Sequence, residues 1–206
     1  MTIENQMELV SDSAVTRRVN NMGQTLVHAL PPQPFQYHFF VVRDETPNAF
    51  TIPGAAIYVH TGLLNFVQSD DELAGVLAHE IGHAYLRHPA KGLSRAMGVE
   101  YLTGLLFKPN QATQNKFKTM ALQLAQGGIL NRYGREDERQ ADETGFYILQ
   151  KAGYQTDGLL RFLRRLQSLE RGGNTMAFLS SHPPTPERIA RLEALERSKY
   201  QAYSRL

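Results

Sequence analysis

The stretch "LAHEIGHAYLRH", residues 77–88, constrains this chain more than any other. It sets His79 and His83 four residues apart, with Glu80 directly after the first histidine. Just upstream, Ser69-Asp70-Asp71-Glu72 has the S-x-x-E pattern of a capping box, which starts a helix by satisfying its free N–H groups. Leu73, Val76, Leu77, Ile81, Ala84 and Tyr85 give that helix an apolar surface. The pattern predicts one helix from about Asp70 to about His88, with the histidines in its middle. Residues i and i+4 of a helix share a face, so the two imidazoles stand side by side. Neutral imidazole suits a tetrahedral metal such as zinc. Glu80 lies about 100° further round the helix, which is wrong for a third ligand but right for reaching a water beside the metal. Two ligands and one base is the division of labour of H-E-x-x-H sites. The plain alternative is a solvated helix face. It fits badly, because two histidines and a glutamate beside a core-forming surface need partners.

Composition narrows what else the site can contain. The chain has no cysteine, which removes disulfides, iron–sulfur clusters and thiolate zinc sites. A catalytic zinc needs a third protein ligand and one open position, so the third ligand is another His, an Asp or a Glu. A net charge of +2 with mixed signs leaves no nucleic-acid footprint. No apolar run approaches the ~18 residues that span a bilayer. The start "MTIENQMELVSD" has neither a basic region nor an apolar core of a signal peptide. At 206 residues and 42% hydrophobic, the chain is expected to form a single domain, 1–206. Its core is expected at about 48–190, with an N-terminal helix, 9–30, packed on it through Val15, Val19, Met22 and Leu26.

Residues 35–43, "FQYHFFVVR", read as a strand, and 51–62, "TIPGAAIYVHTG", as a second strand entered through Pro-Gly. Helices are predicted over 111–126, 135–153, 157–170 and 186–200, with loops at "RGGNT" and "SHPPTP". A small β element among several helices makes the fold class α+β, mostly helical. The helix "REDERQADETG" is the best source of a third ligand, because Glu138 and Asp142 are four apart and share a face. One carboxylate could complete a His-His-Glu set and the other hydrogen-bond a ligand histidine. Glu136, Asp137 and Arg139 read as the solvated face. Composition alone does not choose Glu138.

A resemblance does. "HEIGH", followed some fifty residues later by "REDERQAD", resembles the H-E-x-x-H gluzincin family that includes the HtpX stress protease, the BepA-type periplasmic proteases, the mitochondrial Oma-type protease and the CAAX prenyl endopeptidase. "NAFTIPGAAIYVHTGLL" and "SHPPTPERI" are similar to the family's segments before and after the two motifs, so the likeness runs from about Asn48 to Ile189. It implies a zincin-like metalloprotease domain with a small sheet beside the zinc helix. It implies one zinc ion per chain held by His79, His83 and Glu138, with Glu80 catalytic and Asp142 behind the ligands. It implies peptide bonds of proteins as substrates, misfolded or membrane-associated ones, in an extracytoplasmic or membrane-associated setting, periplasmic if bacterial. A chaperone-like or assembly module with latent protease activity is the competing function.

The resemblance implies roles elsewhere too. Ala55, Ala56, Ile57 and Tyr58 are expected on an edge strand that pairs with extended substrate, against the alternative of an interior strand. His182 is expected near the metal, either filling its open position or stabilising the oxyanion, against the alternative of an ordinary loop residue. Arg188 is expected to place His182 or bind substrate. His60 reads as a solvated strand residue, and His88, five past His83, as a surface histidine at the helix end. The chain departs from the family at Gly134, where serine is common, and at Ala55, where glycine is common. Transmembrane helices and a tetratricopeptide domain, found in many members, do not occur within these 206 residues.

Overall fold

A computed structural model describes residues 7–11, 14–97, 133–171 and 177–203. The helix predicted over 111–126 lies outside the described residues. Helix α1 (Ala14–His28) leads into strands β1 (His38–Val42), β2 (Ala49–Ile52) and β3 (Ala56–His60). Helices α2 (Thr61–Phe66), α3 (Asp70–Tyr85) and α4 (His88–Met97) follow. The rest comprises α5 (Arg135–Ala152), α6 (Gly158–Arg171), the short α7 (Ala177–Ser181) and α8 (Pro186–Tyr203). The architecture is α+β and mostly helical, as the sequence predicts.

The N-terminal helix is shorter than expected. Residues 8–10 pair with the end of β1 instead: Val10 N–H donates to Val41 O and Arg43 N–H to Glu8 O. Val19, Met22 and Leu26 face inward, but Val15 is 40% exposed, because the helix has only just begun there.

The sheet has three strands rather than two, in the order β1-β3-β2. β1 runs parallel to β3 and β2 antiparallel to it. The second strand of the sequence reading is a hairpin, with Pro53-Gly54-Ala55 as its turn. Gly54 and Ala55 both have positive φ, 95° and 60°. The left-handed conformation costs a residue with a Cβ roughly 1–2 kcal/mol, which is why glycine is favoured where Ala55 stands. Both faces of the sheet are covered. Ala49, Ile57 and Val59 join the main core, while Phe50, Ile52 and Tyr58 form a second cluster with Met7, Val42 and Leu93. That double burial explains why the strands read as continuous apolar runs.

Helix α3 is the axis of the fold. Ser69 caps it by accepting from Glu72 N–H, and Glu72 Oε2 accepts from Gln68 N–H. Every residue from Glu72 to Ala84 is buried. A helix buried on all sides must partner its polar side chains within the protein. Helix α5 crosses it at close range because glycines face the contact. A Cβ on Gly82 would sit 2.9 Å from Ala141 O, and one on Gly145 3.1 Å from His79 N. Helix α3 also ends earlier than predicted, at Tyr85. Arg87 adopts φ 59°, so the chain reverses and His88 begins a new helix.

Candidate metal centre

His79 and His83 project from the centre of α3, their rings 4.6 Å apart and nearly perpendicular. Their Nε2 atoms are 3.1 Å apart. Glu138, on the first turn of α5, brings Oε1 to 3.3 Å from His83 Nε2 and Oε2 to 3.4 Å from His79 Nε2. His182, just after α7, places Nδ1 3.1 Å from His79 Nε2 and 3.0 Å from Glu138 Oε1. It is anchored by Phe178, which stacks on its ring and accepts its backbone N–H. One donor atom from each of the four lies within 4.8 Å of the others, and all four residues are buried.

That convergence fits a divalent cation. Three imidazoles and a carboxylate aim lone pairs at one small volume, and protons alone can satisfy only some of those contacts. Burial opposes charge on His83 and holds its pKa well below the usual histidine range, leaving the neutral imidazole that metals bind. Burial disfavours charge on Glu138 as well, but His182 and Arg188 outweigh it and keep the carboxylate ionised. The donor set, three nitrogens and one oxygen, is one that zinc accepts.

Glu80 is fully buried, and its two oxygens differ. Oε2 accepts a hydrogen bond from Thr51 Oγ1 at 2.7 Å, while Oε1 makes none and lies 3.4 Å from His182 Nε2. Burial pushes its pKa up, the direction that strengthens a carboxylate as a base. Thr51 escaped the sequence reading. Its only signal is a hydroxyl in an otherwise apolar strand.

The residues behind the cluster differ between the two helical histidines. His79 Nδ1 is 2.9 Å from Asp142 Oδ1. Asp142 in turn receives Arg188 Nε at 2.8 Å and Nη2 at 2.7 Å. Arg188 Nη1 reaches Glu138 Oε2 at 2.7 Å and donates to Pro183 O at 3.0 Å. Arg188 is buried and spends its guanidinium on this chain's own groups, which corrects the substrate-binding expectation. It ties Glu138, Asp142 and the His182 loop together.

Behind His83 stands His88. The two Nδ1 atoms are 2.9 Å apart, and His88 Nε2 lies 3.2 Å from Gln140 Oε1 and 3.5 Å from Asp137 Oδ1. His88 is fully buried, not a surface residue, because the Arg87 turn folds it back under α3. With His83 Nε2 facing the cluster, its Nδ1–H donates to His88 Nδ1, and His88 Nε2–H donates to Gln140. Asp137 is likewise no plain solvated residue: its Oδ2 accepts from Gly134 N–H, half of a capping box that serine would complete. Tyr133 lies flat against His83, ring centroids 3.9 Å apart, another contact the sequence did not announce.

Two further expectations are corrected. Ala56, Ile57 and Tyr58 sit on β3, the middle strand, hydrogen-bonded on both sides, and Ala55 sits in the turn. The edge strands of the sheet are β1 and β2, and the one touching Glu80 is β2. His60 is buried rather than solvated, with Nδ1 3.0 Å from Thr46 O.

A helix carrying H-E-x-x-H, crossed by a second helix that supplies a glutamate, beside a small mixed sheet, defines a zincin-like metallopeptidase domain. Comparison with known proteins gives the family. A profile described as Peptidase family M48 matches residues 13–196, and the chain belongs to that family. It is 28% identical to Metalloprotease YcaL of Escherichia coli over 84% of this chain and 66% of the relative. It is 30% identical to the mitochondrial metalloendopeptidase OMA1 of Schizosaccharomyces pombe, over 77% of this chain and 46% of the relative. It is 28% identical to the beta-barrel assembly-enhancing protease of Yersinia pestis, over 88% of this chain and 39% of that protein. The chain thus spans between about two fifths and two thirds of these relatives.

Proposed function

We propose that this chain is a zinc-dependent metalloendopeptidase domain that hydrolyses peptide bonds of protein substrates. His79, His83 and Glu138 would hold one zinc ion. Bound there, zinc would supply Lewis-acid chemistry, polarising a carbonyl and acidifying a water. The observation that carries the reading is the free Oε1 of buried Glu80, held beside the cluster while Thr51 fixes the other oxygen. Glu80 takes a proton from the attacking water and returns one to the leaving amine. Asp142 orients His79, and His88 orients His83. An extended substrate would lie along β2, whose outer edge carries no strand among the described residues, so backbone hydrogen bonds give sequence-tolerant affinity.

The reading favours protease over chaperone, because a buried base beside a metal-ligand set serves hydrolysis and not holding. Substrates in protein quality control, misfolded or membrane-associated, and an extracytoplasmic or membrane-associated setting fit a relative named for beta-barrel assembly. Among the described residues no helix is long and apolar enough to cross a membrane.

His182 would complete the donor set as a fourth ligand, locking the site until it swings aside for catalysis. The test is a casein digest with and without chelator, beside zinc content. Glu80→Gln should retain about one zinc per chain and lose about 10²–10⁴ in rate. His182→Ala should raise basal proteolysis. A wild-type protein that takes up no zinc would end the reading. A Glu80→Gln variant of full activity would remove Glu80 from its role.

A further inference from the structure

Around the cluster, five buried polar atoms lack a hydrogen-bond partner among the described residues; His79 Nδ1 and Glu138 Oε2 are ion-paired to Asp142 and Arg188, which leaves Glu80 Oε1, His182 Nε2 and Tyr133 Oη. Buried polar groups are nearly always paired, so three orphans in one place mark where a polar ligand is expected. The base and His182 account for two of them. Tyr133 is unassigned. It packs flat on His83 at 3.9 Å and 22°, and its ring centroid is 5.5 Å from that of His182. It also lines a cavity of about 400 Å³ together with Glu138, Pro183 and Arg188, so it stands between open space and the cluster. Its position is secured by the stack, which leaves the hydroxyl free.

We propose that the Tyr133 hydroxyl is a catalytic hydrogen-bond donor to the carbonyl oxygen of the scissile peptide, acting as that oxygen gains negative charge. The inference rests on the peptidase reading above. The attacking water forms a C–O bond to the carbonyl carbon and gives a proton to Glu80. The carbonyl π pair moves onto oxygen, where Tyr133 donates its O–H without surrendering the proton. The C–N bond then breaks as the pair returns and the amine nitrogen takes the proton from Glu80. A phenol suits this task because it is neutral and protonated at pH 7. A donor that strengthens only as charge develops lowers the barrier rather than binding the ground state.

Tyr133→Phe tests this directly, because it keeps the ring on His83 and deletes only the hydroxyl. Zinc content and thermal stability should match the wild type. For a cleavable peptide, kcat should fall by about 10²–10³ with KM unchanged. Affinity for a phosphinic peptide, whose tetrahedral oxygens mimic the charged carbonyl, should fall at least tenfold, measured by calorimetry. Affinity for the matching uncleavable reduced-amide peptide should not change. A Phe variant with wild-type kcat and wild-type phosphinate affinity would overturn the proposal and leave the peptidase reading intact. A wild-type protein that neither holds zinc nor cleaves peptide would overturn both.

Discussion

His79 and His83 sit one turn apart on the same buried helix, yet the chain backs them in opposite ways. Behind His79 lies charge: Asp142, clamped by the Nε and Nη2 edge of Arg188. Behind His83 lies a neutral relay, His88 and then Gln140. A carboxylate makes a ligand imidazole more basic, whereas a second neutral imidazole chiefly fixes its tautomer and tilt. The opposed shifts agree. Burial disfavours charge on both rings, but Asp142 and Glu138 lift the His79 pKa to about 9, while Glu138 acting without a second carboxylate does not offset burial at His83. The charged side is the one joined to the rest of the site, since Arg188 also grips Glu138 and the carbonyl of Pro183. The difference teaches that one side of this site is held by Coulomb attraction in a dry interior and the other chiefly by hydrogen-bond direction, with the Asp137 carboxylate only at 3.5 Å beyond His88.

The largest expected effect lies on the charged side. Arg188→Ala leaves Glu138 and Asp142 buried without their cation, and removing one partner of a buried pair costs about 3–5 kcal/mol. Urea unfolding of the metal-free protein should show that loss. A cost near zero would mean that water reaches these carboxylates. Next comes Asp142→Asn, which keeps the shape but removes the charge behind His79. It should weaken zinc by the ~10–100-fold typical of residues behind a ligand, measured by competition with a chromophoric chelator.

On the neutral side the losses should be smaller. His88→Ala removes the acceptor for His83 Nδ1–H and should weaken zinc by about tenfold, with His88→Gln recovering part of it. Gln140→Ala acts one bond further away and should cost no more than the ~0.5–1.5 kcal/mol of a single neutral hydrogen bond. If His88→Ala proved as damaging as Asp142→Asn, the contrast would fail, and the neutral relay would have to carry charge in the working enzyme.

Much of the fold was legible because its signals are local. The Ser69 cap, the apolar surface of α3 and the glycine after α5 each act over a few residues, and each marks a boundary where the structure has one. The failures are local patterns overruled by a backbone excursion. The apolar, helix-compatible run through Arg87 hid a left-handed residue, so one predicted helix became two and His88 moved from surface to interior. Ala55 hid a second one, so a predicted strand became a hairpin and the edge position beside the site passed from β3 to β2. Arg87 is not glycine and advertises no turn, whereas at the hairpin the turn signal is Pro53-Gly54, directly before Ala55.

The sequence by itself determined the pairing of His79 with His83 and of Glu138 with Asp142, because 3.6 residues per turn puts i and i+4 on one face whatever surrounds the helix. Only tertiary structure decided that these two faces meet. That depends on two helices closing over Gly82 and Gly145, where a methyl group would collide with the opposite backbone. Tertiary structure also brought His182 to within 3.1 Å of His79, across 103 residues of chain. It gave Glu80 its threonine and His83 its histidine and its tyrosine. No periodicity encodes such contacts, because they arise from how buried surfaces pack and not from the pitch of any one element.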